Sequence, residues 1–256
     1  MAIAVGIGLA ALFLAAMAVG PATALVVITI ALGLAAVEYF NAVRLAGYQP
    51  AVLLGLTATV AMPLAVYWRG EAAITMVLVL AFIFGALWYL LGVANDGAMR
   101  GLGSTMLGIM HIGMLGSFAS LLLATDETYG TGLLTVAVII TVAYDVGGLA
   151  IGKTFGRRAL SSASPNKTVE GLIGGFAVAL GAAIVMGIMG KPAPLASSDL
   201  GGGMTSMIIL GLFAAVAAPV GDLVESLIKR DLGIKDMGSI LPGHGGLLDR
   251  FDGLLF

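Results

Sequence analysis

Residues 133–145 read LLTVAVIITVAYD, an apolar run interrupted only by Thr135 and Thr141 and closed by Asp145. From Gly130 to Gly152 the chain carries no other charge. A buried strand needs only four to eight such residues, and a surface helix would show a polar face. About 20 apolar residues are what a helix needs to cross a bilayer. Similar runs occur over about 2–19, 21–40, 51–68, 72–94, 104–124, 170–190 and 205–228, and a ninth begins near Gly245 and runs to Phe256. The expectation is an all-α fold, a polytopic transmembrane helical bundle of about 8–9 helices, in a single membrane-embedded domain over residues 1–256.

Composition agrees. Of 256 residues 60% are hydrophobic and 10% charged, against about 25% charged in soluble domains. Mean hydropathy is +1.09. The net charge of −2 offers nothing to nucleic acid. The absence of cysteine excludes disulfides, thiolate metal sites and cysteine nucleophiles. Met1 to Gly20 lacks a basic stretch before its apolar run, so it reads as a retained helix rather than a cleaved signal.

Loop charges alternate. Arg44, Arg100, Lys153, Arg157, Arg158, Lys167, Lys229, Arg230 and Lys235 fall on one side. Arg69 and Lys191 fall on the other, with Asp126 and Glu127. The excess of basic residues marks the cytoplasmic side, which leaves the N-terminus outside. Residues 147–154, GGLAIGKT, satisfy a phosphate-binding P-loop pattern. That pattern works only between a strand and a helix, and here it ends an apolar helix. His111 lies in mid-span and reads as a hydrogen-bonding partner for a neighbouring helix.

Ionisable residues inside a membrane are costly and face a cavity or a partner. Asp145 is one. Asp222, Glu225, Ser226 and Lys229 are spaced i, i+3, i+4 and i+7, which places them on one helical stripe. Asp249 and Asp252 are again three apart, with Arg250 between them. Clustered carboxylates at a water boundary suit a hard cation such as Mg²⁺, and the nearby Lys229, Arg230, Lys235 and Arg250 suit phosphate. A salt-bridge network with snorkelling lysines fits the same spacing. A second polar patch runs from Lys153 to Arg158 and from Ser164 to Gly171. Thr168 could cap the following helix and Glu170 lie in its first turn.

Residues Ser226 to Asp252 meet every fixed position of S-x-x-K-R-x4-K-D, a spacer, and P-x-H-G-G-x-x-D-R-x-D, over 27 residues. This segment resembles the signature of phosphatidate cytidylyltransferases, or CDP-diacylglycerol synthases. Ser164 to Gly171 is similar to that family's S-P-x-K-T-x-E-G element, and Asp145 resembles the aspartate preceding it. The family continues through a full final helix, whereas this sequence ends four residues after Asp252.

The resemblance implies nucleotidyl transfer: CTP and phosphatidate give CDP-diacylglycerol and pyrophosphate. It implies N-terminal helices over about 1–125, and catalytic helices with cytoplasmic loops over about 126–256. It makes Asp222 and Asp249 the first candidates for Mg²⁺, with Asp145, Glu225 and Asp252 completing the shell, and it allows K⁺ as a second ion. Lys229 and Arg230 would act on phosphate in catalysis, and His244 would contact phosphate or shape a turn. Ser164, Lys167, Ser226, Lys235 and Arg250 would bind substrate, and Gly245 and Gly246 would let backbone approach it. It implies a homodimer among membrane lipids of the cell (inner) membrane, with the active site facing the cytoplasm. Three other readings fit parts of the pattern. They are a secondary transporter using the carboxylates as an ion site, a CTP-dependent polyprenol or phytol kinase, and a non-catalytic scaffold.

Overall fold

The structure, a computed structural model, describes residues 2–94, 97–125, 127–161, 164, 167–189, 203–240 and 245–256, and not the side chains of 2–7 and 127–129. Among the described residues the regular elements are nine helices. These are α1 (Ala2–Val19), α2 (Pro21–Leu45), α3 (Val52–Arg69), α4 (Ala72–Leu90), α5 (Ala98–Leu123), α6 (Glu127–Phe155), α7 (Val169–Ile188), α8 (Gly203–Asp231) and α9 (Leu248–Leu255). Seven of them, α2 to α8 (α6 counted from Gly130), are long and apolar enough to cross a membrane. Helices bond most of their backbone polar groups internally, as hydrocarbon requires. Large apolar side chains such as Phe82, Phe84 and Phe213 stay exposed, as expected where lipid rather than water is the neighbour.

Several boundaries differ from the sequence expectation: α2 runs to Leu45 rather than about 40 and α4 ends at Leu90 rather than about 94. α5 begins at Ala98 rather than near 104. The ninth helix begins at Leu248 rather than near Gly245. The cause is backbone conformation, because Gly245 has φ +78°, which a right-handed helix cannot contain.

The chain divides into two compact units, residues 1–127 with 231–251, and residues 128–230 with 252–256. In the first, α3 packs against α2, α4 and α5 around Met62, Val66, Ala73, Ala81 and Ile109. Pro63 inside α3 has no N–H to bond the Thr59 carbonyl four residues earlier. Opposite that turn α5 widens into a π-helical segment, Ile109–Met114, and a Cβ on Gly113 would lie 3.1 Å from Thr59 Cα. His111 sits buried in this segment. The Tyr39 hydroxyl donates to the Ser104 carbonyl at 2.9 Å, and the Ala51 amide donates to Thr105 Oγ1 at 2.9 Å. These bonds tie α2 and the α2–α3 turn to α5.

The second unit is a packing of α6, α7 and α8. Its core holds Val136, Ile140, Tyr144, Ala179, Ala183, Met207, Ala215 and Ala218. Small residues bring the backbones together. A Cβ on Gly171 would lie 2.8 Å from the Gly148 carbonyl oxygen, and one on Gly211 would lie 2.7 Å from Ala183 Cβ. Residues 147–154 lie wholly within α6, so their glycines serve helix packing and form no phosphate loop. Residues 252–256 seat on α8, where a Cβ on Gly221 would collide with the Asp252 carbonyl.

This packing predicts opposite effects for two glycines on α7. A Cβ on Gly175 would stand 2.8 Å from the Tyr144 carbonyl oxygen, whereas Gly181 has nothing within 4 Å. Gly175→Ala is expected to cost about 1–3 kcal/mol through overpacking. Gly181→Ala should be neutral or stabilising by up to about 1 kcal/mol. Thermal unfolding of both variants in detergent checks this, and equal shifts would contradict it.

Candidate active site

The connection from α6 to α7 is a short folded-back loop. Ala159 and Thr168 form an isolated antiparallel bridge, flanked by Leu160 N–H to Lys167 carbonyl at 2.7 Å and Val169 N–H to Arg158 carbonyl at 2.9 Å. Ser164 supports the turn, since its carbonyl accepts from the Lys167 amide at 3.1 Å. Thr168 is the N-cap of α7, in extended conformation, and its Oγ1 accepts from the Gly171 amide at 3.0 Å. Glu170 Oε2 accepts from the Arg157 and Arg158 amides at 3.0 and 3.3 Å. Two polar side chains at the helix start thus fix the loop, and the loop fixes Lys167.

The Lys167 ammonium is the centre of the charge cluster in this unit. It pairs with Asp222 of α8. Burial lowers it below the ordinary lysine range, while the carboxylates of Asp252, Asp145 and Glu225 act in the opposite sense. Lys229 adds to the lowering. On α8, Glu225 is fully buried and accepts from Lys229 Nζ at 3.0 Å, one turn along the same helix. Ser226 is buried beside it in sequence, and Arg230 is exposed. Pro219 frees the Ala215 carbonyl from its usual bond one turn before Asp222.

This unit therefore gathers Asp145, Asp222, Glu225 and Asp252 around two amines. Carboxylates outnumber ammonium groups, and the donors are all oxygen, which fits a hard cation such as Mg²⁺. Among the described residues no three acidic or histidine side chains converge closely enough to cage a metal. A cation here would complete its shell with water or phosphate oxygens, the usual habit of Mg²⁺.

The remaining motif residues belong to the first unit. Asp249 lies in the first turn of α9, and its Oδ2 accepts from the Met237 amide at 2.9 Å and the Gly246 amide at 2.8 Å. The close approach that Gly246 permits is to the protein's own carboxylates. A Cβ there would lie 2.6 Å from Glu38 Oε2 and 2.9 Å from Asp249 Oδ2. Gly245 is similarly placed, 3.1 Å from Asp249 Oδ2 by the same measure. Lys235 and Arg250 are exposed. His244 lies outside the described residues.

Glu38 is a buried carboxylate that motif reasoning passes over. It stands on α2, far from the signature in sequence, and is only 3% exposed. Its Oε2 accepts from the Leu248 amide at 2.9 Å. One signal for it was present: a lone carboxylate near the end of an otherwise apolar span.

The model of the Cytidylyltransferase family matches residues 1–256. The phosphatidate cytidylyltransferase of Bacillus subtilis is 34% identical over 192 residues, covering 74% of this chain and 68% of its own. That of Synechocystis is 32% identical over 264 residues, covering 91% and 84%. The Mycobacterium leprae protein of the same name is 38% identical over 160 residues, but the match spans 61% of this chain and under half, 47%, of that longer one. The chain is a multi-pass membrane protein of helical type, and it belongs to the cytidylyltransferase family.

The Glu225–Lys229 pair yields a stability prediction. Removing one partner of a buried pair strands the other charge, at about 3–5 kcal/mol. Lys229→Met is expected to lower thermal stability by about that much, and the double variant Lys229→Met with Glu225→Leu should recover most of it. Arg230→Met, next door and exposed, should stay within about 0.5 kcal/mol of the parent. Detergent-state unfolding midpoints decide between these outcomes.

Proposed function

We propose that the protein is a phosphatidate cytidylyltransferase, working as a homodimer in a bacterial inner membrane with its active site facing the cytoplasm. An oxygen of the phosphatidate phosphate attacks the α-phosphorus of CTP. The bond to the β-phosphate breaks, pyrophosphate leaves, and CDP-diacylglycerol remains in the bilayer. The observation that carries this reading is the cluster of Asp145, Asp222, Glu225 and Asp252 about Lys167 in a chain whose relatives bear that enzyme's name.

The attacking phosphate is already anionic, so no strong base is required. The work lies in holding two polyanions together and neutralising the leaving group. Mg²⁺, when bound, would supply that neutralisation, with a monovalent ion such as K⁺ beside it. Asp222 and Asp249 are the proposed principal ligands, with Asp145, Glu225 and Asp252 in support. Lys167 stands where backbone hydrogen bonds join Arg158 and Leu160 to Val169 and Lys167 itself, which suits an amine that exchanges a carboxylate for a substrate phosphate. Arg230, Lys235 and Arg250 are exposed, and their proposed role is to bind phosphate oxygens. Lys229, Ser164, Ser226 and His244 keep the substrate-side roles implied by the motif.

The experiment is CDP-lipid formation from CTP and phosphatidate by the purified protein, with Mg²⁺ and with a chelator in its place. Product is expected only with Mg²⁺, and its absence under both conditions would refute the reading. Asp222→Asn and Asp249→Ala are each expected to lower kcat on the order of 100-fold. Near-normal Mg²⁺-dependent turnover in either variant would remove that residue from the ligand set.

A further inference from the structure

Glu38 is a buried carboxylate whose partners are backbone amides. Its Oε2 accepts from the Leu248 N–H at 2.9 Å. The amides of Leu247 and Ile240 also bear on it. The same carboxylate is flanked on two sides by glycine backbone. A Cβ on Gly246 would stand 2.6 Å from Oε2, and one on Gly238 would lie 2.7 Å from Glu38 Cγ. The backbone at Gly238, Gly246 and Leu248 therefore lies against the end of this side chain.

The Asp249 carboxylate is held by what that segment presents. Its Oδ2 is fixed by the Met237 and Gly246 amides. Met237 precedes one of the glycines against Glu38, and Gly246 is the other. Asp249 itself follows Leu248, whose amide Glu38 takes directly. Both carboxylates crowd the same spot, 2.6 and 2.9 Å from the position a Gly246 Cβ would occupy. Two carboxyl groups stand this close with amide donors on each of them. A carboxylate buried in α2 is costly in an apolar helix, so its presence calls for a task, and packing alone would be met by an apolar residue.

We propose that Glu38 is a positioning residue that holds the backbone at Gly238 and at Gly246 to Leu248 so that Asp249 presents its carboxylate in one fixed orientation. This rests on the reading of Asp249 as a Mg²⁺ ligand only for its effect on turnover; the holding of the segment is independent of it. Glu38→Gln keeps the shape and one acceptor oxygen but turns an amide N–H₂ toward donors. Glu38→Ala removes the acceptor altogether.

The test is amide hydrogen exchange of the full chain in detergent, read by peptide and paired with the Mg²⁺ dependence of CDP-lipid synthesis. In Glu38→Gln, exchange over residues 237–249 should quicken about tenfold, the worth of a charged hydrogen bond. Helices α3 and α4 should keep the parent's protection. The same variant should need more Mg²⁺ for half-maximal activity and show a lower kcat, with Glu38→Ala more affected in both. Unchanged exchange over 237–249 in Glu38→Ala would overturn the proposal. Equal acceleration in every helix of both variants would overturn it as well, by making Glu38 a general structural residue. Should the segment loosen locally while the parent protein makes no CDP-lipid, the positioning role stands and the cytidylyltransferase reading falls.

Discussion

A carboxylate carried into an apolar helix bundle must be matched where it is buried, by a cation or by hydrogen-bond donors, or it will not stay ionised. The polar architecture of this protein follows from how that demand is met. Glu225 is met by Lys229 one turn away, and Asp222 by Lys167 from a loop. Glu38 Oε2 is met by one backbone amide and Asp249 Oδ2 by two, while Glu38 Oε1 is buried without a hydrogen-bond partner among the described residues. The two modes have different consequences. An amine can let go of its carboxylate and take a phosphate, whereas an amide held in the chain cannot move without remaking the fold. The lysine-paired group is thus suited to exchange, and the amide-paired group to fixing geometry.

The loop before α7 shows how little polar sequence is needed to fix a lysine. Thr168 closes the helix start, Glu170 collects the Arg157 and Arg158 amides, and one bridge from Ala159 to Thr168 completes the reversal. Below it the packing runs on glycine and alanine, so α6, α7 and α8 approach closely enough for their charged ends to share one cluster. Close packing supplies the attraction between helices that lipid cannot provide.

Much of the fold was legible because hydrocarbon leaves few choices. Apolar length alone places the spans, and seven of the runs read from sequence recur as membrane-length helices. What failed was local. Gly245 looks like the start of an apolar helix, yet its positive φ delays the helix to Leu248. The π-helical segment at Ile109–Met114 has no signature in hydropathy, because it depends on what lies across from it in α3. At the site, the spacing of Asp222, Glu225 and Lys229 showed which groups share a stripe, and Thr168 read correctly as a cap. Spacing could not show that Lys167 would pair with Asp222, since that contact joins a loop to a helix far along the chain. Glu38 was hidden for the same reason, its partner Leu248 being 210 residues away. The crowding of Glu38 and Asp249 about Gly246 is likewise invisible to spacing.

The central claim is that the cytidylyl group, rather than the terminal phosphate of CTP, passes to the lipid. Parallel reactions with CTP labelled at the α- or the γ-phosphate measure this directly. The account predicts label in the lipid fraction from α-labelled CTP alone, with the γ-label leaving in pyrophosphate. Lipid labelled from the γ-phosphate would contradict it and make the protein a CTP-dependent kinase.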